Sequence, residues 1–242
     1  MEADVDGVGT ARAYLAAASY GGDKEIFGYG DTGSYVSLTK LVNSSGVVAA
    51  DVTGVGTARR LLAAAGYGTD KAIFGYGNSY LSMTNLVSNS GVVSSDVTGV
   101  GTARNQLSAA GYGGDKAIFG FGETASYNSM TNLVSSSGVI ASDTTGVGTA
   151  KIMVYATGYG ADLGIFAYGV IGAGNTNSRN LITNTGVCGS DQSGVGTARR
   201  SPAAMRFGNS GEAIFAYGNA NVSNKISNTG VQASDVTGVG TS

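Results

Sequence analysis

The chain has 242 residues and a formal charge of −2, from 14 Lys and Arg against 16 Asp and Glu. So small a charge leaves no footprint for nucleic acid or an anionic membrane surface. The absence of His removes Ser-His-Asp triads and every His-based metal site. Forty-one glycines, a single proline (Pro202) and 42% hydrophobic residues fit neither collagen nor simple disorder. They mark many turns and close backbone approaches.

The N-terminus, "MEADVDGVGT", lacks the basic start and apolar stretch of a signal peptide. It reads as a piece of a repeat. The phrase Asp-x-x-Gly-Val-Gly-Thr begins at Asp4, Asp51, Asp96, Asp143, Asp191 and Asp235, every 44–48 residues. A second phrase, Ile-Phe-(Gly/Ala)-(Tyr/Phe)-Gly, places Phe27, Phe74, Phe119, Phe166 and Phe215. A third, Ser/Asn-(Ser/Thr)-Gly-Val, places its Gly at Gly46, Gly91, Gly138, Gly186 and Gly230. Three independent markers define five units, so internal repetition sets the architecture.

The unit Thr57–Thr102 shows the elements in order. "RRLLAAAGYG" is a short Ala-rich run ended by a Gly turn, too short for an Ala helix. "KAIFGYG" is apolar and aromatic, "SYLSMTNLVS" alternates, and "SNSGVVSSD" follows another Gly turn. Each has strand length and is bounded by turn residues, which predicts four strands, A to D. On simple alternation, Phe74 and Tyr76 share one face of strand B, while Ile73, Gly75 and Gly77 take the other. An aromatic face of one unit then fills a glycine-lined hollow of its neighbour, and strand A, with small side chains, lies innermost.

Four short strands per 40–50 residues is the signature of a propeller blade. The expectation is one all-β domain over 1–242, a closed five-bladed β-propeller of four-stranded antiparallel blades. The blades span approximately 11–57, 58–102, 103–149, 150–197 and 198–242. The alternative fold is a β-solenoid.

Arg12, Arg59, Arg104 and Arg199, with Lys151 in the fourth unit, stand before an Ala-rich strand A and a strand B ending in Gly. This layout resembles kelch repeats over the whole chain. Where kelch blades carry Gly-Gly after strand B and a Trp in strand D, this chain has Gly-Tyr-Gly or Gly-Phe-Gly and no Trp. The near-identity of the units resembles the repetitive propellers of tailed-phage virion proteins. That resemblance implies an attachment or protein-interaction scaffold, located in the virion or in host cytoplasm before assembly. A lectin-like propeller with glycan pockets repeated between blades is the alternative. Partners are then other protein subunits or surface glycans, with no nucleic acid and no membrane insertion.

In the linking phrase, Asp51, Asp96, Asp143 and Asp191 are expected to fix local turns by accepting amides just ahead of them. The arginines are expected to pair with an adjacent copy's Asp or with carbonyls at the blade end. The six copies exceed the five links of a closed ring. Those at Asp4–Thr10 and Asp235–Thr241 therefore compete for one seam. Asp4-Val5-Asp6-Gly7 offers oxygen ligands for calcium, but later copies replace Asp6 by Thr or Ser. The Asp box of sialidase propellers differs in spacing and requires a Trp. Asp23, Glu25, Asp70, Asp115 and Asp162 accompany lysines near strand A–B turns and read as solvated charges. Cys188, the only cysteine, reads as a small buried thiol. No enzyme, cofactor or metal is expected. Partner contacts are expected where the repeats disagree: Val170, Ile171 and Arg179 in the fourth unit, and Arg206 in the fifth.

Overall fold

The computed structural model describes residues 7–238. The described residues hold no helix, and their strands pair antiparallel throughout. In the first unit, β1 (Ala16–Tyr20), β2 (Lys24–Gly28) and β3 (Thr39–Val42) form one sheet. The second unit is β4 (Ala63–Tyr67), β5 (Lys71–Gly77) and β6 (Leu81–Val87), and the third β7 (Ser108–Tyr112), β8 (Lys116–Gly120) and β9 (Thr131–Val134). The fourth comprises β10 (Tyr155–Tyr159), β11 (Leu163–Ala167) and β14 (Arg179–Ile182). Between β11 and β14 lies the small hairpin β12 (Val170–Ile171) and β13 (Gly174–Asn175). The fifth is β15 (Ala203–Phe207), β16 (Glu212–Ala216), β17 (Val222–Ile226) and β18 (Val236–Thr237).

A four-stranded ladder occurs only in the fifth unit. In the second, the outermost segment touches β6 through two isolated bridges, Val87↔Val93 and Thr84↔Val97. The equivalent segment of the fifth unit, "SNTGVQASD", is also joined only by an isolated bridge, Ile226↔Gln232, and β18 comes from the linking phrase after it. Both segments turn back too soon to sustain a continuous edge ladder.

The sheets pack face to face, with the first strand of each around a common hub. Four buried clusters mark the four junctions between successive units. At each of the first three, a Phe of the later unit enters a hollow left by a Gly of the earlier one. A Cβ on Gly28 would stand 2.6 Å from Phe74, on Gly75 2.8 Å from Phe119, and on Gly120 2.7 Å from Phe166. The filling therefore runs from each unit back into its predecessor.

The alternation expected for strand B breaks at its end. Tyr29, Tyr76, Phe121, Tyr168 and Tyr217 all hold φ between 61° and 65°, a region that non-Gly residues seldom occupy. The register also shifts between Gly75 and Gly77. The left-handed residue sends Tyr76 to the face opposite Phe74, where it meets Phe119 with ring centroids 5.2 Å apart. The pairs Tyr29–Phe74, Phe121–Phe166 and Tyr168–Phe215 repeat the contact at 5.1–5.4 Å.

The expected closed ring is absent among the described residues. Backbone bonds step from unit to unit at both ends of the hub: Leu61 N–H to Tyr14, Gln106 to Leu61, Met153 to Gln106 and Ser201 to Met153 at one, Gly21 to Asp70 through Gly160 to Gly211 at the other. No equivalent bond joins the fifth unit to the first, and β1 packs on β4 but not comparably on β15. Phe74, Phe119, Phe166 and Phe215 are fully buried, whereas Phe27 is half-buried. The expectation of five equivalent Phe residues fails at Phe27 because, among the described residues, no sheet packs on its outer face.

Candidate functional site

The linking phrase builds one cluster in each of the last four units and a partial one in the first. Arg104 is fully buried. Its Nε donates to the Phe121 carbonyl (2.9 Å), one terminal nitrogen to Thr102 O (3.0 Å) and the other to Asn132 Oδ1 (2.6 Å). Its guanidinium lies 4.5 Å from the centroid of Tyr76 in the preceding unit and 3.7 Å from Asp143. Arg59 and Arg199 repeat this on Tyr29 and Tyr168, with Asp96 and Asp235 each 3.9 Å away. The cluster is a bolt between sheets: a planar cation stacked on the neighbour's ring and forked onto its own sheet.

The aspartates do not fix local turns. Asp143 accepts from Thr102 N (2.9 Å) and Thr102 Oγ1 (2.7 Å), 41 residues upstream, and from Asn132 Nδ2 (2.9 Å). Asp51 serves Thr10, Asp96 serves Thr57, Asp191 serves Thr149 and Asp235 serves Thr197. Each copy's Thr thus docks on the next copy's Asp. Among the described residues, Thr10 of the first copy docks on Asp51 and Asp235 of the last accepts from Thr197, so these two do not compete for one seam. Asp4 and Asp6 lie outside the described residues, as does the calcium expectation resting on them. Burial alone would raise the Asp143 carboxyl. Hydrogen bonds from Thr102 and Asn132 and the charge of Arg104 outweigh it, holding the group below the usual carboxylate range.

Sequence reading missed Asn85, Asn132, Asn180 and Asn224, all fully buried. The signal was a polar residue recurring in the middle of strand C. The first unit has Lys40 there, 3.7 Å from Asp51, and both terminal nitrogens of Arg12 lack a hydrogen-bond partner.

In the fourth unit Lys151 replaces the Arg. Its Nζ reaches Asn180 Oδ1 (2.7 Å), Ser178 Oγ (3.2 Å) and the face of Phe121 (4.8 Å). Burial pulls it from 10.5 to about 8, against the opposing charge of Asp191. A lysine with a lowered folded value carries a penalty below about pH 8, relieved as pH rises toward its unfolded value. Against Lys151→Arg, which stays charged, the native protein should gain on the order of 2 kcal/mol between about pH 8 and pH 10. Denaturant titrations of the two proteins across that range check the slope. Cys188, buried nearby and raised to about 11 by burial, is common to both.

The bolts face other sheets rather than solvent. The hub opens as a cleft of about 590 Å³ lined by the inner strands of all five units. Its rim carries Tyr14, Leu61, Gln106, Met153 and Ser201, one per unit, each at φ 49–55°. These five equivalent positions hold five different residues. Around them Arg60 pairs with Asp31 (2.5 Å) and lies 5.2 Å from the rings of Tyr14 and Tyr35, while Gln106 donates to Glu123 (2.7 Å).

Of the expected contact residues, Val170 bridges to Ile152 beside this rim, and Ile171 follows it in the small hairpin. Arg179 is held by Gln192 and Gln232 between the last two units. Arg206 lines the opposite mouth. The four are not brought together. Among the described residues no group of three His, Cys, Asp or Glu is placed to hold a metal, and no helix is long and apolar enough to cross a membrane.

No protein-family model matches the chain, and no curated protein matches it in sequence. Among solved structures it is similar to selenomethionine-substituted virginiamycin B lyase from Staphylococcus aureus, a propeller. The identity is 13% and the TM-score 0.57, over 87% of this chain. The chain spans 65% of that protein's length. At that identity the likeness concerns fold alone, and with the packed antiparallel sheets it establishes an all-β, propeller-like architecture.

Proposed function

We propose that the protein is a non-catalytic attachment scaffold, a kelch-like propeller module of a phage tail or capsid, and that it engages a protein partner through the hub rim. One observation carries the reading. Five equivalent positions of the nearly interchangeable units, Tyr14, Leu61, Gln106, Met153 and Ser201, hold five different residues and converge on one mouth of the hub. The repeated charged residues of the linking phrase, by contrast, are committed to the bolts between sheets. Left-handed backbone at all five rim positions is the kind of strain that collects at binding sites.

Mass spectrometry of purified particles of the encoding phage should find the chain in fixed stoichiometry. A chain confined to the soluble lysate sinks the virion reading. The double variant Arg60→Ala/Gln106→Ala should lose incorporation at unchanged melting temperature. Unchanged incorporation would remove the rim from the contact.

The lectin reading loses its original place, since the junctions between sheets are filled by the four buried clusters. Tyr14 and Tyr35 beside Arg60, Asp31 and Asn78 supply the stacking and hydrogen-bonding groups that a sugar uses. A glycan array showing binding abolished by Tyr14→Ala would favour that alternative.

A further inference from the structure

The two ends of the arc are the two halves of a junction that the chain already builds four times. The free face of the fifth unit presents Met205, 60% exposed, and Tyr217, 43% exposed, whereas the equivalent Ala65 and Tyr76 are buried. The free face of the first unit presents Phe27, half-buried, where Phe74 is sealed against Tyr29. Tyr217 holds the same left-handed φ as the other four ring residues, so it is already posed for a following Phe and Arg.

Two charges make the ends specific for each other. In three of the four internal clusters a leucine of one unit and an alanine of the next share the junction: Leu41 and Ala72, Leu86 and Ala117, Leu181 and Ala213. At the free face of the fifth unit the leucine position is Lys225, exposed, paired in register with Ile214. At the free face of the first unit the alanine position is Glu25, also exposed. An acid on one end and a base on the other therefore occupy the two positions that would face each other across a fifth junction.

We infer that the fifth unit of one copy docks on the first unit of a second copy, head to tail, through Tyr217 and Lys225 on one side and Phe27 and Glu25 on the other. The occupant is a second copy because the first and fifth units of one chain share no junction among the described residues and carry opposite charges at the matching positions, Glu25 beside Ser19 and Lys225 over Phe207 in their own units. A contact between unlike faces leaves one free end at each side, so assembly continues past two copies. The inference does not depend on the virion reading, since it concerns this chain with itself.

Sedimentation velocity of the purified full chain over a concentration series at low salt tests it. The native protein should grow stepwise beyond a dimer. Glu25→Lys alone, or Lys225→Glu alone, should leave monomers, because each puts like charges across the junction. The double variant Glu25→Lys/Lys225→Glu should assemble again, and so should a mixture of the two single variants. Both positions are exposed, and thermal melts of each variant check that it is folded. A native chain that stays monomeric at every concentration overturns the inference, as does a species that stops at a dimer. Single variants that assemble as well as the native chain overturn it too.

Discussion

Replacement of Arg104 by alanine should lower the unfolding free energy by about 3–5 kcal/mol, the range for removing one partner of a buried ionic cluster. The side chain is fully buried and satisfies three acceptors, Phe121 O, Thr102 O and Asn132 Oδ1. Alanine leaves all three unmatched and empties the space over Tyr76. Arg104→Met removes the same charge but fills the space, so its cost should be smaller. Arg104→Lys should fall between, as Lys151 shows how few of these bonds an ammonium reaches. Urea midpoints for the three variants give the order. Alanine no worse than methionine would mean that filling the space over Tyr76 contributes little and that the polar pairing carries the bolt.

Phe119→Ala should cost about 3–5 kcal/mol, the loss expected when a fully buried aromatic leaves a cavity. The ring closes the hollow at Gly75 and meets Tyr76 at an interplanar angle of 59°, and no small side chain can follow it there. Phe27→Ala should cost much less, since one face of Phe27 is already open. Guanidinium unfolding of the two variants separates them. Equal losses would show that the first unit's free face is covered in the monomer. Because neighbouring units share each junction, the main transition should be followed with two probes.

The repeat and strand order were legible because each depends on local signals: phrase spacing, Gly turns and short apolar runs. The buried Phe positions were legible for the same reason. What escaped depends on geometry with no local signature. The turn of Tyr76 to the opposite face needs a left-handed φ, which alternation cannot express. The Thr57–Asp96 and Thr102–Asp143 pairs join residues about one unit apart, so the aspartates looked like turn formers when read beside their own neighbours. Closure was misjudged because five units fix the number of sheets but not the angle between them. The rim was overlooked because "RRLL", "RNQL" and "KIMV" look like ordinary drift until Leu61, Gln106 and Met153 converge on one opening.

The succession of junctions also governs how the chain acquires its structure. Each of the four buried clusters is made by sequence neighbours, so no contact must wait for the two ends of the chain to find each other. Folding can begin at any adjacent pair of units and spread outward, with stability approximated by unit and nearest-neighbour terms. The central units, held on both sides, are then the slowest to exchange amide hydrogens, and the outer two fray first. Such a chain tolerates gain or loss of a whole unit during duplication. A new copy brings its own Phe, its own Arg and its own hollow, and asks nothing of sheets further away.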